Sequence, residues 1–273
     1  MKSNLFLRII SALILAPIVL FGICYGAPAF DILIAVMGAL MAWEWEKMIH
    51  GKESYVAITL TLMSCLVVFS VRTAEPYLAL AIIAVCALFL YVKTKHNLLL
   101  SFGSFYIGLP LLSMMYVAYF SDAGEDGDLT YSAMYILWLL FVVWATDIGG
   151  YVVGKSVGGP KMCPKISPKK TWSGLLGGML FSAMMTYGFV ITMNHYYHSE
   201  LAMGFLVASS VALALIAQAG DVFESKIKRY LDIKDSSDLI PGHGGIFDRV
   251  DGLLFVAPVV ALFVLMVNMG IFS

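Results

Sequence analysis

Charge is what this sequence has least of. Only 13% of its 273 residues are Asp, Glu, Lys or Arg, against roughly 25% in a soluble globular domain. A chain with a mixed, water-facing surface is thereby excluded. Cysteine is sparse as well: Cys24, Cys65, Cys86 and Cys163 stand singly, with no CxxC and no paired spacing. That excludes both a disulfide framework and a zinc site. There is no long-period repeat, no low-complexity linker and no polar stretch long enough for a separate soluble domain. The formal net charge of −1 is no guide to partners, since in a membrane chain the side on which charges sit matters more than their sum. Nothing in it calls for a nucleic acid.

What the sequence has in abundance is apolar residue, 60% of the chain, with a mean hydropathy of +0.88. Windows about 20 residues long fall at 5–25, 29–49, 55–72, 76–92, 98–120, 131–153, 172–192, 201–220 and 250–272. The expected fold is therefore all-α, a polytopic membrane protein of about nine transmembrane helices. With the N-terminus placed in the cytoplasm and the C-terminus outside, every Lys and Arg but Arg72 falls on the inner side, as the positive-inside rule requires. The first span begins with basic residues and is followed by Ala27-Pro28-Ala29, which imitates a signal-peptidase site. Its full-span length and the proline at the cut favour a retained helix. The acidic stretch "SDAGEDGDLT" falls on the outer side and lacks EF-hand spacing, so it reads as a solvated turn. Residues 1–130 are expected to form N-terminal membrane helices, and 131–273 the C-terminal helices with the catalytic loops.

Two inner loops hold the chemistry. Gly149 to Ser156, "GGYVVGKS", satisfies the pattern of a nucleotide-binding P-loop. A P-loop needs a strand before the glycines and a helix after them, and these glycines end an apolar helical run instead, so that reading is rejected. Asp147 continues the apolar run just before them. An ionised Asp deep in a bilayer costs about 2.5–3.5 kcal/mol and so tends to face a polar cavity; the alternative is a solvated helix end. Beyond it, "CPKISPKKTWSG" gathers Lys165, Lys169 and Lys170 with Ser167, Thr171 and Ser173. These are the cations and hydroxyls that polyphosphate oxygens require, although the charge run alone would also serve topology.

In the second loop Asp221, Ser225 and Lys228 share a helical face, an arrangement suited to a metal–phosphate complex. Glu224 and Lys226 read as charges that solubilise a helix end. "PGHGGIFDRVD" then supplies a Pro-Gly turn and glycines that let backbone approach a ligand. Asp248, Arg249 and Asp251 follow in the first turns of the last span, and capping accounts for one of those two Asp. Oxygen-rich sites without Cys or His clusters favour a hard cation such as Mg2+.

The stretch Ser225 to Asp251, "SKIKRYLDIKDSSDLIPGHGGIFDRVD", resembles the signature of CDP-diacylglycerol synthases, also called phosphatidate cytidylyltransferases. The match takes in Ser225, Lys228, Arg229, Lys234, Asp235, the Pro-Gly-His-Gly-Gly turn, Asp248, Arg249 and Asp251. "GDVFES", "SPKKTW" and "ATDIGGY" resemble further family segments, whereas residues 1–130 match only as hydrophobic spans. Ser173 departs from an often acidic or amide position and is given no catalytic role. The resemblance implies transfer of the cytidylyl group of CTP to phosphatidate, giving CDP-diacylglycerol and pyrophosphate. It implies Asp221 and Asp248 as ligands of Mg2+, with K+ as a second cation. Ser167, Lys169, Lys170 and Thr171 would hold CTP phosphates, while Lys228 and Arg249 would neutralise the lipid head group or the pyrophosphate. Ser225 and Arg229 join them by their place in the signature. His243 would donate to a phosphate or brace the turn, and Asp147 and Asp251 would orient these groups or complete the metal shell. The resemblance further implies a homodimer in a bacterial inner membrane, with its site at the cytoplasmic end of a lipid-accessible cleft.

Two rivals are weaker. A lipid or polyprenol kinase-like enzyme would not need the full 225–251 pattern. An ion-coupled transporter would need its acids near the membrane midplane with access to both sides, and these crowd one face.

Overall fold

A computed structural model of the chain describes residues 2–50, 55–121, 131–198, 201–242 and 244–271. Most of the acidic outer turn, residues 122–130, and His243 lie outside the described residues. The helices are α1 (Lys2–Tyr25), α2 (Ala29–His50), α3 (Tyr55–Arg72), α4 (Pro76–Lys93), α5 (Leu98–Phe120), α6 (Tyr131–Val157), α7 (Trp172–Tyr196), α8 (Met203–Tyr230) and α9 (Phe247–Asn268). Strands β1 (Lys161–Cys163) and β2 (Ser167–Thr171) lie between α6 and α7. Each expected span is a helix, because in lipid an apolar run satisfies its backbone only by coiling. Seven of them, α3 to α9, are long and apolar enough to cross a bilayer, and the chain is a multi-pass membrane protein. Helix α2 falls short by composition, since it carries Asp31, Glu44, Glu46 and Lys47.

Helix ends follow local chemistry. Asn97 caps α5 by accepting from the Leu100 N–H at 3.1 Å, and Pro76 opens α4 at a position where no N–H is needed. The chief departures from expectation are extensions: α6 continues to Val157 and α8 to Tyr230, carrying the expected loop residues on helical scaffolds. The basic loop between α6 and α7 is itself a two-stranded hairpin.

The chain divides into two compact units. Unit 1 comprises residues 1–121, 230–250 and 257–273, and unit 2 residues 122–229 and 251–256. This division differs from one drawn by chain order at residue 130, because α9 contributes residues to both units. In unit 1, α2, α3, α4 and α5 pack on one another around fully buried Trp45, Leu60, Ile83 and Leu111. At one edge Asp31, at the start of α2, accepts from the Arg72 guanidinium and, at 2.7 Å, from the Tyr119 hydroxyl. Arg72, the basic residue that the expected orientation leaves outside, thus has a buried acidic partner.

Unit 2 is built on the α6–α7 pair. A Cβ on Gly149 would stand 2.7 Å from the Gly177 carbonyl oxygen, and one on Gly178 would stand 2.8 Å from that of Thr146. The glycines of "GGYVVGKS" and of "GLLGG" therefore form a close helix–helix seam within the chain. Large apolar side chains such as Leu176, Leu180 and Met184 face outward from α7, as a lipid-facing surface requires.

Candidate functional site

The hairpin sets the first charges of unit 2. Its turn closes where the Ile166 N–H donates to the Cys163 carbonyl at 3.1 Å, with Pro164 at the favoured second position. Strands β1 and β2 run antiparallel, Lys161 facing Thr171 and Cys163 facing Ser167. Successive strand residues point to opposite sides, so the neighbouring lysines diverge. Lys169 is exposed to solvent, while Lys170 turns inward and brings Nζ to 2.5 Å from Asp221 Oδ2. Lys165 is exposed at the turn, and Ser167 is half-buried. Thr171 is buried and caps α7, accepting from the Gly174 N–H at 3.1 Å, and its hydroxyl meets that of Ser173 at 3.0 Å. Its expected partner was a nucleotide phosphate, yet its hydroxyl already has two partners in the fold. Ser173 also donates to the Gly158 carbonyl, tying the base of the hairpin to the end of α6.

Helix α8 supplies the facing acids. The Ser225 hydroxyl donates to Asp221 Oδ1 at 3.3 Å, as the shared helical face predicts. Lys228 lies one turn on, but its ion pair is with Glu224, at 3.1 Å, and both residues are buried, Glu224 2% and Lys228 9% exposed. Glu224 is therefore no solubilising charge: it is a buried counterion, and that reading of it is corrected. Lys226 and Arg229 are exposed.

Asp251 completes the cluster. Gly220 makes this possible, since a Cβ there would stand 2.6 Å from the Asp251 carbonyl oxygen and 3.2 Å from Phe255 Cβ. Gly252 acts from the other helix, its missing Cβ facing Ala217 and Val143 at 3.2 Å. With the backbones so close, the Asp251 carboxylate lies within electrostatic range of Asp221, Glu224 and Asp147. It accepts from the Gly252 N–H at 2.7 Å. Asp147 is exposed on α6. Four carboxylates thus gather with Lys170 and Lys228 bonded among them. Gathering like charges costs several kcal/mol unless cations offset it.

A second cluster lies in unit 1, where residues 236–242 and 244–248 fold around two carboxylates. Asp248 Oδ2 accepts from the Ser236 N–H at 2.8 Å, the Ser236 hydroxyl at 2.8 Å and the Gly245 N–H at 2.9 Å. Glu44 of α2, fully buried, accepts from the Ser237 hydroxyl at 2.6 Å and the Ile246 N–H at 2.7 Å on Oε1. On Oε2 it accepts from the Phe247 N–H at 2.9 Å and the Ser236 hydroxyl at 3.3 Å.

The glycines of the signature turn gain a reason here. Gly244 has φ +87°, and a Cβ on it would stand 2.7 Å from Asp248 Oδ2. A Cβ on Gly245 would collide with the Ser236 hydroxyl and the Glu44 carboxylate. These glycines, expected to let backbone approach a ligand, admit the protein's own carboxylates. Arg249 emerges exposed from the next turn, while Lys234 and Asp235 are exposed on the loop.

The expected residues thus separate into two groups. Asp147, Lys170, Asp221, Ser225, Lys228 and Asp251 belong to unit 2, and Asp248 and Arg249 to unit 1. Sequence reasoning passed over Glu44, although the rule that singled out Asp147, an acid continuing an apolar run, applies equally to it.

Helices of this length and apolarity, bearing buried carboxylates matched to lysines, define an integral membrane protein built to handle polar, charged groups at the bilayer. Residues 6–267 match the family model described as "Cytidylyltransferase family", and the chain belongs to that family. It is 33% identical to the phosphatidate cytidylyltransferase of Brucella suis biovar 1, over 96% of this chain and 93% of the relative. It is similarly 30% identical to that of Rickettsia bellii, covering 94% and 90%, and 31% identical to that of Bacillus subtilis, covering 92% and 94%.

Proposed function

We propose that this chain transfers the cytidylyl group of CTP to phosphatidate. An anionic phosphate oxygen of phosphatidate bonds to the α-phosphorus of CTP, the bond from that phosphorus to the bridging oxygen breaks, and pyrophosphate leaves with the electron pair. The nucleophile is already ionised, so no strong general base is required. The demand is instead to bring two polyanions together and offset their charge. The names of the relatives support the reaction, and the observation that carries it is the meeting of Lys170 with Asp221 beside Asp251.

On this reading Lys170, delivered by the hairpin, takes nucleotide phosphate, and Lys169 and Lys165 draw the nucleotide from water. Arg249 neutralises the lipid phosphate or the leaving pyrophosphate. Asp221 and Asp251, which share one cluster, would hold Mg2+, and Asp248, which the signature also implies as a ligand, braces its own loop. Among the described residues no three carboxylate, imidazole or thiol groups form a finished ligand set. Mg2+ commonly takes one or two carboxylates and completes its shell with substrate phosphates and water. When bound, Mg2+ would offset phosphoryl charge. The charge distribution supports a cytoplasmic face for the hairpin and for the loop before α9, so CTP would enter from water while the acyl chains stay in lipid.

Purified protein in lipid, supplied with α-labelled CTP, is expected to place label in chloroform-extractable material only when phosphatidate and Mg2+ are both present. Label that appears equally without phosphatidate, or none at all from folded protein, would sink the reading.

A further inference from the structure

Glu44 lies outside the family signature and far back in the chain, yet it reaches residues of the loop from both ends. It joins Ser236 and Ser237, where the loop begins, to Ile246 and Phe247, where it runs into α9. The two N–H groups are among the donors that a helix start leaves without intrahelical acceptors, and no side chain at Ile246 caps them. Helix α9 is therefore capped by a carboxylate from α2, which also meets the positive end of the helix dipole.

Burying a carboxylate is costly, and an apolar residue would fill the same space. What the carboxylate adds is four acceptor contacts that together fix one loop conformation. The effect passes on to Asp248, because Ser236 stands between the two acids, its hydroxyl 2.8 Å from Asp248 and 3.3 Å from Glu44. Having one proton to donate, it gives it mainly to the nearer acid and keeps the two in register.

We propose that Glu44 is a positioning residue for the transfer: it holds Ser236, Ser237, Ile246 and Phe247 in the conformation from which Asp248 and Arg249 are set. The inference rests on the cytidylyltransferase reading above. Its test is Glu44→Gln, which keeps size but can accept on one end only, turning an NH2 toward two of the donors. The variant is expected to lose about tenfold or more in kcat while KM for CTP stays within about threefold. Backbone amide exchange should quicken at residues 236–247 and stay unchanged in α3 to α5, with thermal unfolding in detergent near that of the native protein. Ser237→Ala, which removes a single donor, is expected to lower kcat by about two- to fivefold.

Native kcat and native loop exchange in Glu44→Gln would overturn the proposal, as would loss of protection throughout unit 1, which would make Glu44 a general stability residue. Should Glu44→Gln fail to accumulate, unaltered turnover and exchange in Ser237→Ala would overturn it instead. If the native protein makes no CDP-lipid, the transfer reading falls by that result alone, and the exchange comparison still decides whether Glu44 orders the loop.

Discussion

Asp221 and Asp251 are neighbours only because the chain folds, and the two carboxylates are expected to act as one unit. Asp221→Asn and Asp251→Asn keep the side-chain shape and remove the charge. Each should lower labelled CDP-lipid formation by about 100-fold or more and raise the Mg2+ concentration needed for what remains. Asp248→Asn should also abolish turnover, by a different route: its amide-exchange signature would be faster exchange at Ser236 and Gly245, which the other two variants would not share. An Asp248→Asn protein with native turnover would remove that residue from the machinery. At this scale the sequence is legible at Asp147, where an acid continues an apolar run that lipid makes costly to charge, at Asp221 through the helical face it shares with Ser225 and Lys228, and at Asp251 through the crowding of charges at the start of the last span. It was misleading at Glu224, since a charge at a helix end is ordinarily solvated and only tertiary cover reveals a buried pair. Glu44 lies near the end of its helix in the same ambiguous position.

Among the elements, the pairing of α8 with α9 depends on an absence of side chain. Gly220→Ala would drive a Cβ into the Asp251 backbone carbonyl, so α8 and α9 must separate or rotate. Activity should fall by about tenfold or more, because small misplacements of reacting groups are heavily penalised. Gly188→Ala in α7, where nothing lies within 4 Å of the added carbon, is the matched control and should leave activity unchanged. Equal activity in both proteins would show that the close approach of α8 and α9 is dispensable. The P-loop look-alike carries a related lesson. Its glycines are spaced as a phosphate-binding loop would space them, but α6 runs through them and uses the same lack of side chain to seat α7. The hairpin was not legible, because β1 has three residues, too few to show an alternating pattern, and the prolines around it read as loop.

For the whole molecule, hydropathy located each helix, since length and apolarity are properties of local sequence. The grouping of α9 residues into both units was hidden, being a matter of contacts far apart in sequence, such as Glu44 with Phe247 in one unit and Val143 with Gly252 in the other. Orientation can be tested in intact cells with a protein freed of its native cysteines. Lys165→Cys and Asp238→Cys should resist a membrane-impermeant thiol reagent applied from outside, and Thr73→Cys should react. The reverse pattern would turn the protein over and put the lysines on the wrong side for cellular CTP. The bond between Lys170 and Asp221 has a consequence for how ligands arrive. A triphosphate that takes Lys170 strands Asp221 among other acids, and a divalent ion that takes Asp221 strands Lys170. Arriving together, each supplies what the other displaced. Nucleotide and metal should therefore strengthen one another's binding by the same factor, so that the protein discriminates against metal-free CTP before any chemistry begins.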